Sequence, residues 1–229
     1  MLVSEIILSV CLYIPFGLAI AFGANKFFRI TAYVAGFFVI EQIISGIGYQ
    51  IASSFGNAVV PIVSILVGIA AAFAFIIIPV LGFTATGGMV GYALGQFVVL
   101  LANKDIFYNG WIHFLYLVGC AAVSIVLLFV EEYGVYTVGT AFWGGMLFVM
   151  GVDVFAQTGV NSVLLYRWDQ SVEIGANKSG WALMTTWFLI TILGSLIQNK
   201  LFNGMLNRTT PFVFKIKRNK EEVEDDAVV

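Results

Sequence analysis

Ionisable side chains are scarce in this chain, and those inside apolar stretches are the ones that could do chemistry. Glu41 lies beside Gln42 near the middle of one such stretch, and Gln96 lies at a comparable depth in another. A charge at the centre of a bilayer costs at least ~2.5 kcal/mol on insertion scales. No lysine or arginine occurs deep in an apolar stretch to offset it. Glu41 is therefore either a structural carboxyl held neutral and hydrogen-bonded by neighbours such as Gln42 and Gln96, or an ion or proton site facing a hydrated cavity. His113, the only histidine, and Asp153 make a second pair. Each lies about 20 residues from Glu131-Glu132, on either side of it, so at 1.5 Å per residue both come out near one interface. A structural pair and a pH-sensitive gate or cation site both fit that placement, because histidine titrates near physiological pH.

Other chemistry has no foothold. There is no Gly-rich phosphate loop, no HExxH and no His/Cys spacing suited to a metal, so neither a catalytic residue nor a metal or cofactor is expected. Cys11 and Cys120 both fall within apolar runs, which disfavours a disulfide framework. A formal net charge of -2 and a pI near 5.3 leave no general basic surface for nucleic acid. The expected activity is non-enzymatic.

The elements that must position these residues are apolar. Hydrophobic residues make up 60% of the 229, charged residues only 10%, and the mean hydropathy is +0.98. Soluble domains carry about a quarter charged residues. Seven stretches, each long enough to cross a hydrocarbon core of about 30 Å, follow one another. They are Ile6–Gly23, Ile30–Ala52, Ala58–Val80, Gly82–Asn103, Trp111–Val130, Gly134–Gln157 and Gly180–Lys200. The first has no basic residue before it and reads as a retained helix. The division within residues 58–103 rests on Pro79 and Gly82. Backbone groups in lipid must be satisfied internally, and these runs lack the period-two alternation of a barrel. The reading is an all-α integral membrane protein in contact with the lipid bilayer.

Basic residues choose the orientation. With the C-terminus in the cytoplasm and the N-terminus outside, Lys26, Arg29, Lys200, Arg208, Lys215, Lys217, Arg218 and Lys220 all lie inside, and only Lys104, Arg167 and Lys178 lie outside. Asn177-Lys178-Ser179 is then a lumenal glycosylation sequon. The 159–179 loop, rich in aromatic and charged residues, reads as an interfacial anchor or a docking surface. Residues 1–204 form the membrane domain and 205–229 a cytoplasmic tail. In the tail, Lys215, Lys217, Arg218 and Lys220 form a lipid-facing basic cluster ahead of an acidic end.

Gly87, Gly91 and Gly95 form a stripe on one face of the fourth helix. Small residues let helix backbones approach closely in lipid, so the stripe is a packing seam within the bundle or against a second copy. Similar segments recur at residues 26–36, 79–88 and 133–144, each with a tight turn followed by aromatic and small residues. That pattern suggests three helical hairpins plus a final helix.

These features resemble the transmembrane protein 198-like group of seven-span proteins, which includes a domain of transmembrane 7 superfamily member 3. The likeness is carried by Phe22-Gly23 with Phe27, Phe28 and Gly36, and by Gly82-Phe83 with Gly87, Gly91 and Gly95. Gly139, Gly144, Gly145 and Asp153 add to it, as do Trp181, Trp187 and Gly194 in the final span. The likeness covers roughly residues 8 to 204. It implies a seven-helix fold and, for vertebrate relatives, a scaffolding role in receptor signalling, with no defined enzymatic activity. Family members carry basic residues at the third cytoplasmic turn and a long basic tail; this chain has Glu131-Glu132 and a short tail. The expected function is a non-catalytic scaffold or accessory subunit working with a membrane-protein partner or a second copy of itself. The alternative is an ion or small-solute channel or transporter with Glu41, Gln96 and Asp153 along its pathway.

Overall fold

The computed structural model describes residues 13–51, 59–101, 110–158, 160 and 178–202. The expectations placed on Asn177, on Lys215, Lys217, Arg218 and Lys220, and on most of the 159–179 loop lie outside the described residues, as does the side chain of Gln42. Among the described residues the chain forms seven α-helices and no strand. They are α1 (Ile14–Gly23), α2 (Phe28–Ile51), α3 (Val59–Ile77), α4 (Pro79–Leu101), α5 (Gly110–Val130), α6 (Glu132–Ala156) and α7 (Lys178–Phe202). In α4, α5, α6 and α7 the apolar length suffices to cross a membrane.

Local chemistry explains the breaks. Pro79 opens α4, where its fixed φ suits the first turn and its missing N–H is not needed. The division therefore falls at Ile78, a few residues before the Gly82 boundary expected from the sequence. Gln157 closes α6 in the left-handed conformation (φ 51°), and its N–H donates to the Asp153 carbonyl at 2.7 Å. Hydroxyl groups inside the helices are satisfied one turn back. Thr86 donates to Gly82 O, Thr140 to Tyr136 O and Thr191 to Trp187 O, at 2.8 to 2.9 Å. That is how a hydroxyl tolerates an apolar surround.

The short turns suggested hairpins α1–α2, α3–α4 and α5–α6 plus a lone α7. The packing groups the helices differently. The most extensive neighbour pairs are α2–α3, α1–α6, α4–α5 and α6–α7; α1 also lies against α7, and α2 also packs on α4. A short turn fixes proximity at one end only, whereas small residues decide which faces meet along their length. At Gly17 an added β-carbon would lie 2.6 Å from Phe148 N and 2.9 Å from Gly144 O, and one at Gly144 would lie 2.6 Å from Gly17 O. The α1 and α6 backbones therefore touch directly.

α6 forms the centre, with buried residues on every face from Tyr136 to Asp153. Tyr136 stacks on Phe83 of α4 (5.8 Å, 8°) and tilts against Phe28 of α2 (6.0 Å). Trp143 meets Phe38 of α2 edge-on, and Trp187 of α7 packs on Phe142 and Phe97 at 4.8 and 5.0 Å. The outside is apolar instead of charged. α3, α5 and α7 turn Leu66, Phe73, Ile77, Leu115, Val126, Phe188 and Leu196 outward, Ile77 being 77% exposed. A patch of that extent calls for an apolar surround.

Candidate functional site

Glu41 and Tyr92 each lie 13 residues beyond the first residue of their helices, about 20 Å along at 1.5 Å per residue. α2 and α4 start at the same end, since a β-carbon at Gly82 would lie 2.6 Å from the Ala32 Cβ. The two side chains therefore share a depth. Glu41 is half-buried and within electrostatic reach of the phenols of Tyr92 and of Tyr13, at the start of α1. Gln96, one turn beyond Tyr92, donates from Nε2 to the Tyr92 hydroxyl at 2.9 Å. Gln96 is 0% exposed, and its Oε1 has no hydrogen-bond partner. Gly82, Ala85, Met89, Ala93 and Gln96 recur at helical spacing as one buried stripe, and its Gly82 end meets α2.

Glu41 and Gln96 are thus linked through Tyr92. The cluster offers a carboxyl, an amide oxygen and two phenol oxygens from α1, α2 and α4. Such a set suits a proton or a hard cation and offers nothing to a soft metal. Reading the ionisable residues alone missed Tyr92 and Tyr13. The signal that could have found Tyr92 is its position four residues before Gln96, on the same helix face.

Asp153 and His113 are both buried. The Asp153 carboxylate closes the end of its own helix: Oδ1 accepts from the Thr158 N–H at 2.9 Å and from the Thr158 hydroxyl. A carboxylate at a helix C-terminus opposes the macrodipole, and these donors compensate it. His113 lies on the inward stripe of α5 with Leu117, Ser124 and Leu128. Asp153→Ala should lower stability by about 1–3 kcal/mol, because it strips the acceptor from the part-buried Thr158 N–H and hydroxyl. Asp153→Asn keeps an acceptor oxygen and should lose less than half as much. Thermal unfolding of both variants in detergent checks the order.

The glycine stripe of α4 faces α5. A β-carbon at Gly91 would meet the Cys120 carbonyl and lie 2.6 Å from Ala121 Cα, one at Gly87 would lie 2.9 Å from Leu128, and one at Gly95 2.8 Å from Leu117. A further polar contact joins the ends of the chain. Gln198 of α7 is fully buried and donates from Nε2 to the Ala21 carbonyl at 2.7 Å and the Ile20 carbonyl at 3.2 Å. Gln198 lies inside the Gly180–Lys200 span expected from the sequence, where nothing in its spacing singles it out.

One end of the bundle gathers the short turns. Asn25 donates to Thr137 Oγ1 at 3.1 Å, and the Tyr133 hydroxyl donates to Asn199 Oδ1 at 3.3 Å. Lys26, Arg29, Glu131 and Lys200 are exposed at this end.

A model of the TM7S3/TM198-like domain family matches residues 10–199. No curated protein and no solved structure matches the chain.

Proposed function

The chain belongs to the TM7S3/TM198-like family, and from that premise we propose that it is a non-catalytic seven-span membrane protein acting as a scaffold or accessory subunit of a membrane assembly. The observation that carries this reading is the filled axis of the bundle. From Gly139 to Leu147 every residue of α6 is buried, and its Trp143, Met146 and Leu147, with Trp187 of α7, have relative exposures of 0 to 1%. A solute moving along that axis would have to displace them. The surfaces left for partners are the apolar outer faces of α3, α5 and α7, in reach of other helices in the same bilayer.

In this reading the N-terminus lies outside and the C-terminus in the cytoplasm, with residues 205–229 as a cytoplasmic tail. The shared placement of Lys26, Arg29 and Lys200 at one end supports that orientation. The protein solubilised from its own membrane in mild detergent should migrate with a second chain, or a second copy, at fixed stoichiometry. Reconstituted alone into vesicles, it should give no pH or cation flux above empty vesicles. Migration as a bare monomer would remove the proposal, and tag accessibility from one side only would remove the orientation.

A second reading, a proton- or cation-conducting protein, is favoured by the mid-helix cluster of Glu41, Tyr92 and Gln96. It requires the pathway to run between α2 and α4, beside the filled axis. Flux abolished by Glu41→Gln would select it.

A further inference from the structure

We propose that Glu41, Tyr92 and Gln96 form a binding site for one monovalent alkali cation between α2 and α4, with the Tyr13 phenol at its edge. The inference stands apart from the scaffold reading: a bound cation would be structural in a scaffold and cargo in a conductor.

The first argument is the amide of Gln96. Its nitrogen is engaged with the Tyr92 hydroxyl, while its oxygen is fully buried without a donor. A buried amide oxygen left unsatisfied costs about 1–3 kcal/mol. It lies on the buried stripe of α4 whose Gly82 end meets α2, the helix that carries Glu41, and it lies one turn beyond the depth that Glu41 and Tyr92 share. A cation beside it satisfies that oxygen and meets the carboxylate at once. The Tyr92 hydroxyl accepts the Gln96 N–H and so fixes the orientation of that amide.

Charge sets the valence. α1, α3 and α4 contribute no basic side chain, and Tyr13 and Tyr92 are the titratable groups they turn towards Glu41. One carboxylate and one monovalent cation make a neutral site. A divalent ion would leave a net positive charge in an apolar surround, which is expensive. An oxygen-only donor set selects hard ions, Na⁺ or K⁺, over transition metals.

The test uses the purified full-length protein in detergent, unfolded by heat at fixed pH and ionic strength, with intrinsic tryptophan fluorescence, to which buried Trp143 and Trp187 contribute, as the readout. N-methyl-D-glucamine chloride is replaced stepwise by NaCl, and in a separate series by KCl. The expected result is a saturable rise in Tm with one of the two. Glu41→Gln should abolish it, and Gln96→Leu should raise the half-saturating concentration at least tenfold. Equal Tm in all three salts overturns the proposal, as does a salt effect that survives in Glu41→Gln. Acidification that reproduces the full stabilisation in N-methyl-D-glucamine alone also overturns it, since the ligand would then be a proton. Where a variant fails to fold, equilibrium binding of ²²Na⁺ and ⁸⁶Rb⁺ to the native protein decides. One saturable site per chain supports the assignment, and none overturns it.

Discussion

Gly144→Ala should cost roughly 3 kcal/mol of stability, near the upper end of overpacking penalties, and shift the folding equilibrium about 100-fold. The substitution adds one carbon, but it adds it between two backbones. The new atom would meet Ala21 N and lie 2.6 Å from Gly17 O and 2.8 Å from Ala21 Cα. A crowded side chain can rotate away; a helix backbone cannot. α1 would have to lift off α6, taking with it the Gly194 contact to the Ala21 carbonyl and the hydrogen bonds from Gln198. Gly119→Ala is the control, since nothing lies within 4 Å of its added carbon. It should be neutral, or stabilising by up to ~1 kcal/mol from helix propensity. Monodispersity after graded heating in detergent separates the two variants.

Trp187→Ala should be comparably damaging, at ~3–5 kcal/mol. Trp187 is fully buried, fills the space beside Gly145, packs on Phe97 and Phe142, and donates from Nε1 to the Phe142 carbonyl at 2.8 Å. In lipid the apolar alternative to burial is no worse than the core, so the loss is one of packing and cavity formation. Trp187→Phe removes the hydrogen bond and part of the ring but keeps an aromatic in the site. The Phe142 carbonyl keeps its place in the helix ladder, so that variant should lose less than Trp187→Ala, about 1–2 kcal/mol. Trp181, 60% exposed on the same helix, provides the contrast: Trp181→Ala should stay within about 0.5 kcal/mol. Equilibrium unfolding followed by near-ultraviolet circular dichroism gives the ranking.

How much of this was legible beforehand differs by level. Helix identity was, because an apolar run in lipid has few other ways to satisfy its backbone, and Pro79 and Glu131-Glu132 mark two of the breaks. The pairing of helices was not. Gly87, Gly91 and Gly95 announce a close approach on one face of α4, yet nothing in their spacing says that α5 is the helix that comes close. The same holds for Gly17 and Gly144, whose meeting depends on helix rotation about axes that hydrophobic periodicity leaves free when every face is apolar. At the polar cluster, Glu41 and Gln96 were visible as intruders in apolar runs. Tyr92, which links them, passed for an ordinary aromatic. Asp153 was visible too, but its tie to Thr158 arises from the irregular end of α6, which periodicity does not describe.

The bond between Gln198 and the α1 carbonyls bears on how the protein is made. The partners of α1, namely α6 and α7, are the last described helices to leave the ribosome, and the Gln198–Ala21 contact spans 177 positions. α1 therefore emerges long before the helices it packs on exist. A nascent chain halted after α5 would leave the Gly17 face of α1 without either of the helices that cover it in the finished bundle.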